Sequence, residues 1–135
     1  MAEEESRFVE MIFPEQANHY GTLFGGTALA LMGKAAFVAA SRATRHPVVM
    51  AASERVDFHA PVRVGQMVEL VARVERIGRT SLGVAVEMHA ESPAGPERQV
   101  AVTGHFVMVA VDAGGRPVPL PSVAASSPAI SKEEF

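Results

Sequence analysis

Between Gly25 and Thr44 the chain runs twenty residues without a proline or an acidic side chain, and nine of them are Ala or Leu. Strong helix formers at that density predict one long helix. Arg42, Arg45 and His46 stand where cations suit the negative end of the helix dipole, and Pro47 stops the helix. The stretch is apolar on nearly every side, so it is not a surface helix with a single buried stripe. It has to be enclosed, by a sheet that curls about it and by a partner subunit that covers the rest.

The flanking sequence supplies the sheet. Arg7 to Phe13 partly alternates and reads as a short strand halted by Pro14. After the helix the period changes to two. Val48 to Phe58 is extended, Gln66 to Ile77 and Thr80 to His89 alternate, and Gln99 to Val111 is rich in Val. Val64-Gly65, Gly78-Arg79 and Pro93-Ala94-Gly95-Pro96 are turn chemistry between them. Such short links favour antiparallel pairing. The fold class predicted is α+β, an antiparallel sheet wrapped around one long central helix. Residues 1–6 are expected to be a frayed acidic start, 7–120 the domain, and 121–135, rich in Ala, Ser and Pro, a flexible tail.

Composition excludes several functions. The 135 residues fit one domain. Twelve Lys and Arg against 15 Asp and Glu, unclustered, argue against a nucleic-acid surface. Seven Phe, one Tyr and no Trp weaken base stacking as well. Without Cys there is no disulfide, thiolate nucleophile or Cys-ligated metal. His46, His89 and His105 lack metal-ligand spacing, so no metal is expected. The start MAEEES has no basic n-region, and the longest apolar stretch, Gly25 to Ala40, carries Lys34 and is shorter than the ~20 residues that span a bilayer. A cytoplasmic protein with no membrane partner is the expectation.

Four segments carry chemistry-bearing residues. Gly25 and Gly26 open the helix, where unpaired N–H groups and partial positive charge can hold a carbonyl oxygen as it becomes an oxyanion. The plainer reading is a tight helix entry. Asn18-His19-Tyr20 just before could position water or supply a base near neutral pH, or be ordinary loop polarity. In Ser53-Glu54-Arg55-Val56-Asp57-Phe58-His59, alternation places Glu54 with Val56 and Phe58. If that face turns inward, Glu54 is a carboxylate on the buried or interface side, either paired with Arg or functional. Gly78-Arg79-Thr80-Ser81 offers N–H groups, hydroxyls and a guanidinium suited to phosphate, or is a plain hairpin.

Taken in order, these segments resemble the hotdog-fold acyl-CoA thioesterases of the acyl-CoA hydrolase branch. The resemblance runs from Pro14-Glu15-Gln16-Ala17-Asn18-His19-Tyr20-Gly21-Thr22-Leu23-Phe24-Gly25-Gly26 through Val56-Asp57-Phe58-His59-Ala60-Pro61 and Ile77-Gly78-Arg79-Thr80-Ser81 to Gly115-Arg116-Pro117-Val118-Pro119. It implies a hotdog fold, dimers with a continuous sheet and sites at their interface, and assembly into tetramers or hexamers. It implies hydrolysis of fatty acyl-CoA to free fatty acid and CoA, with no cofactor beyond the coenzyme A of the substrate. Gly25 or Gly26 would present the oxyanion-binding amide, and Gly78, Arg79, Thr80 and Ser81 would hold the nucleotide end. Met32, Gly33, Phe37 and Phe58 would line the acyl pocket. The family usually carries an acid on the central helix right after the residue matching Met32, where this chain has Gly33. Three readings follow: hydrolysis using Asn18 and Glu54 instead, acyl-CoA binding with little or no hydrolysis, or a hotdog dehydratase using His19 or His59 with Glu54.

Overall fold

A computed structural model of the chain describes residues 5–120. The tail expected at 121–135 and residues 1–4 of the expected start lie outside the described residues. Strand β1 (Glu5–Met11) leads through a short 3-10 turn (Pro14–Gln16) to helix α1 (Gly25–Thr44). Four strands follow: β2 (Val48–Phe58), β3 (Met67–Ile77), β4 (Ser81–Glu91) and β5 (Arg98–Ala110). They form one antiparallel sheet in the order β1-β3-β4-β5-β2, so β1 and β2, which flank the helix in sequence, end up as opposite edges.

The helix begins and ends where local sequence places it. Its last turn closes on Arg45, a non-glycine residue in the left-handed region (φ 52°), whose N–H donates to the Ser41 carbonyl at 2.7 Å. Thr44 Oγ1 donates to the Ala40 carbonyl at 2.9 Å. Strand β1 starts two residues earlier than expected, because Glu5 pairs across the sheet with Arg73 and Ser6 is buried. Those two residues therefore belong to the domain and not to a frayed start.

One face of α1, Ala28, Met32, Ala35, Ala36, Ala39 and Ala40, is buried against the sheet. The alanines let the helix approach closely, and Val68, Leu70, Leu82, Val84, Met88, Phe106 and Met108 fill the space opposite. Each fully buried side chain of that size contributes ~1.5–3 kcal/mol. The sheet does not enclose the whole helix. Leu29 and Phe37 on α1, with Met50 and Phe58 on β2, remain about half exposed along one open side.

The far face of the sheet is charged. Glu69 accepts from Arg98 (2.7 Å) and Arg7 (3.2 Å), and Glu5 accepts from Arg73 (2.6 Å). These guanidiniums hold the Glu69 and Glu5 carboxyls below the usual glutamate range, the Arg98 bond being the main cause for the first and the Arg73 bond for the second.

Two bulges in β2 decide which side chains reach the helix. Ala51 has no partner between the pairs Met50–Met108 and Ala52–Val107, and Arg55-Val56 together oppose Gly104. Arg55 takes φ 50° to make the second. Each extra residue reverses the alternation. Opposed residues share a face, so Ser53 lies with buried Phe106, while Glu54 lies with exposed His105 on the charged face.

Candidate active site

The N-terminus of α1 is assembled by a small loop that folds around Asn18. The Asn18 N–H donates to the Thr22 carbonyl (2.8 Å) and the Gly21 N–H to the Asn18 carbonyl (3.0 Å). Gly21 takes φ +84°, a conformation a Cβ would strain. The Asn18 carboxamide oxygen accepts from the N–H of Tyr20 (2.9 Å), the N–H of Thr22 (3.2 Å) and the Thr22 hydroxyl (3.2 Å). That oxygen is saturated, so the amide Nδ2 is what Asn18 has left for a ligand. The loop is tied to its surroundings by the Leu23 N–H on the Val62 carbonyl (2.7 Å) and the Phe24 N–H on the Gln16 carbonyl (3.0 Å).

The helix then opens without a cap. Phe24 offers no capping side chain, and the first turn contains no acid. The first helical N–H to find a carbonyl is that of Ala28, on Phe24. Among the described residues the amides of Gly25, Gly26 and Thr27 therefore have no partner. Two rings frame them. The Phe58 ring lies 3.7 Å from where a Cβ on Gly25 would stand, and the Phe24 ring 2.8 Å from where one on Gly26 would stand. At position 26 glycine is thus what lets the Phe24 ring close down beside free N–H groups, whereas at 25 a Cβ would make only ordinary contact with Phe58. Unpaired amides at the positive end of a helix, beside apolar walls, are suited to a carbonyl oxygen that gains negative charge.

Other expected residues are placed differently. Glu54, expected on the face of Val56 and Phe58, is turned to the opposite face by the β2 bulges and is exposed there. It cannot reach α1 within this chain. Met32, expected in the acyl pocket, is fully buried in the core, its methyl beside Gly104. Phe37 and Phe58 do lie on the open side, and Gly33 is partly covered there by Met50, whose methyl is 3.0 Å from the position of a Cβ. His59 binds the Thr103 hydroxyl at 2.9 Å, and His19 packs against Tyr20 with ring centroids 3.9 Å apart and the planes tilted by 38°. Neither is joined to Glu54, so the acid–histidine set a dehydratase wants is not assembled within one chain. Met50 is the neighbour that sequence reasoning missed, because no local pattern ties it to Gly33.

The turn Gly78-Arg79-Thr80-Ser81 is at the other end of the molecule. The Thr80 carbonyl accepts from the Ala110 N–H (2.9 Å), and the next residue, Val111, donates to Pro47 (3.1 Å), just beyond the end of α1. A helix of 20 residues is about 30 Å long, so this turn and Gly25-Gly26 are that far apart in one chain. Among the described residues no group of three or more His, Cys, Asp and Glu could hold a metal, and no helix is long and apolar enough to cross a membrane.

An antiparallel sheet curled about one central helix, with free amides where that helix begins, defines a hotdog-fold protein of the kind that handles acyl thioesters. The chain belongs to the thioesterase superfamily, whose family model matches residues 20–97. It is 35% identical over 121 residues to the uncharacterized acyl-CoA thioester hydrolase YkhA of Bacillus subtilis, covering 88% of this chain and 70% of that one. It is similar to the structure of an acyl-CoA hydrolase from Agrobacterium tumefaciens (46% identity, TM-score 0.82), covering 89% of this chain but only 47% of that longer one. It is also similar to the Staphylococcus aureus acyl-CoA hydrolase solved with butyryl coenzyme A, coenzyme A and coenzyme A disulfide (30% identity, TM-score 0.83, 90% of this chain and 74% of that one). Alanine variants of that enzyme have been solved at an asparagine, an aspartate and a threonine, successively fifteen and seventeen positions apart.

Proposed function

We propose that this chain hydrolyses acyl-CoA thioesters to the free acid and coenzyme A. The observation that carries the reading is the uncapped start of α1, with the Gly25 and Gly26 amides free between two phenyl rings. The thioester carbonyl rests on those amides, which stabilise the oxyanion formed when water adds to the carbonyl carbon. The C–S bond then breaks and the water's proton ends on the departing thiolate. The Asn18 Nδ2 donates to the carbonyl or orients the water. The apolar acyl chain lies along Phe37 and Phe58. Coenzyme A enters as part of the substrate, and the reaction calls for no other cofactor.

The nucleotide end of coenzyme A binds at Gly78-Arg79-Thr80-Ser81 of a second copy, because the same chain's turn is about 30 Å from its own helix start. The half-exposed row of Leu29, Phe37, Met50 and Phe58, beside the free edge of β2, supports a dimer on that side. Such dimers assemble further into a tetramer or hexamer, and the protein works in the cytoplasm. A second reading, acyl-CoA binding with little turnover, is favoured by one observation: α1 carries no acidic side chain, with Gly33 where the family usually has one.

Thiol release from acyl-CoAs of graded chain length, followed with a chromogenic reagent, tests the reading, and calorimetry on the same compounds measures binding. The protein's lack of Cys keeps the background low. Turnover well above the uncatalysed rate supports hydrolysis, binding without turnover supports the second reading, and neither refutes both.

A further inference from the structure

Gly33 lies on the open side of α1, two turns beyond Gly25 and Gly26. A glycine in a helix interior is unfavourable, and this one coincides with a specific contact: among the described residues, and apart from the helix's own backbone and chain neighbours, the Met50 methyl is the one heavy atom within 4 Å of the position its Cβ would take, at 3.0 Å. Met50 reaches it from β2 because the strand's first bulge comes one residue later, at Ala51, leaving Met50 opposite buried Met108 on the helix side. Asn18, Gly33 and Met50 repeat the fifteen- and seventeen-residue spacings of the asparagine, aspartate and threonine altered in the Staphylococcus aureus enzyme. The asparagine is kept here. By that spacing, a glycine and the thioether that packs over it stand where the relative has its two other polar groups.

We infer that Gly33 and Met50 are one unit, a methionine seated in a helix notch about 11 Å along α1 from that chain's own Gly25 and Gly26, that makes apolar the wall facing a thioester held on the helix start of a second copy, and limits the hydrolysis step while leaving acyl-CoA binding intact. The inference rests on the acyl-CoA reading of the site. The flexible thioether fills the space that a carboxylate and a hydroxyl would share, and its surface suits the sulfur and first methylenes of a thioester. A carboxylate introduced at position 33 alone would meet the methyl at once, be desolvated by it, and push it into the crevice. Removing the methionine alone would open the notch without supplying a base. The two positions therefore have to change together.

The test compares the wild-type protein with Gly33→Asp, Met50→Thr and the double variant. Turnover is measured on an acyl-CoA that wild type binds or hydrolyses, with its pH dependence and KM, and thermal unfolding is followed in parallel. The expected result is that neither single variant gains more than about threefold in kcat over wild type. The double variant gains at least tenfold, with KM little changed, and shows a limb in which the rate rises with pH through the new carboxylate's range. Unfolding midpoints show the same coupling, Gly33→Asp being destabilised and Met50→Thr relieving it. The inference is overturned if Gly33→Asp alone matches the double variant, if the double variant gains nothing, or if the unfolding midpoints are additive. Failure of wild type to bind or turn over any acyl-CoA overturns the acyl-CoA reading instead, and the additivity of the midpoints still decides the contact.

Discussion

Asn18 does two separable things, and two substitutions separate them. Its Oδ1 takes three hydrogen bonds that hold the loop delivering the start of α1, and two of the three, both from Thr22, are half-buried. A typical net contribution is about 0.5–1.5 kcal/mol per bond, and the exposed Tyr20 bond is readily replaced by water. Asn18→Ala should therefore cost about 1–2 kcal/mol, a fall of roughly 4–9 °C in unfolding midpoint for a domain of this size. Asn18→Asp keeps an oxygen that accepts all three bonds but removes the Nδ2 donor. It should unfold within about 2 °C of wild type. If Nδ2 faces the developing oxyanion or its water, both variants should lose about a hundredfold in kcat. Calorimetric unfolding and thiol-release kinetics on the same preparations give both readouts. An Asn18→Ala protein as stable as wild type would refute the keystone role of Oδ1. An Asn18→Asp protein as active as wild type would refute the role of Nδ2.

Glu54→Gln should leave turnover within about twofold and stability within about 0.5 kcal/mol, since Glu54 is exposed on the face away from α1. A large loss of activity would refute the placing of Glu54 away from the site. Gly26→Ala puts a methyl 2.8 Å from the Phe24 ring, which must swing aside. Helix propensity alone favours the substitution by about 1 kcal/mol. The expected outcome is an unfolding midpoint equal to or above wild type with reduced turnover. Because their guanidinium partners lower the Glu5 and Glu69 pKa values, the stability these groups add is complete above the ordinary glutamate value of about 4.3. It is lost as pH falls from there through the lowered values. Unfolding midpoints should decline below about pH 4.5, and Glu69→Gln should flatten that decline.

The sequence by itself determined α1 from Gly25 to Thr44, because helix propensity, absence of proline and the stop at Pro47 are all local. The strands and their antiparallel pairing were equally legible, within a residue or two, from alternation and short turns. So were the family resemblance and the absence of an acid at Gly33. What only the tertiary structure decided are matters of pairing between distant segments. The face of Glu54 depends on how β2 registers against β5, where two bulged residues undo the alternation that its own strand suggests. Met32 is core because the sheet closes on that side of the helix, while Phe37, five residues on, stays outside. The two ends of the expected coenzyme A site lie apart because β3 and β4 turn at the C-terminal end of α1. Met50 meets Gly33 only because a strand that follows the helix in sequence returns along it as the edge of the sheet. Local propensity acts over a few residues, whereas register and proximity are set by the long-range contacts that bury the core, and it is those contacts that place the chemistry.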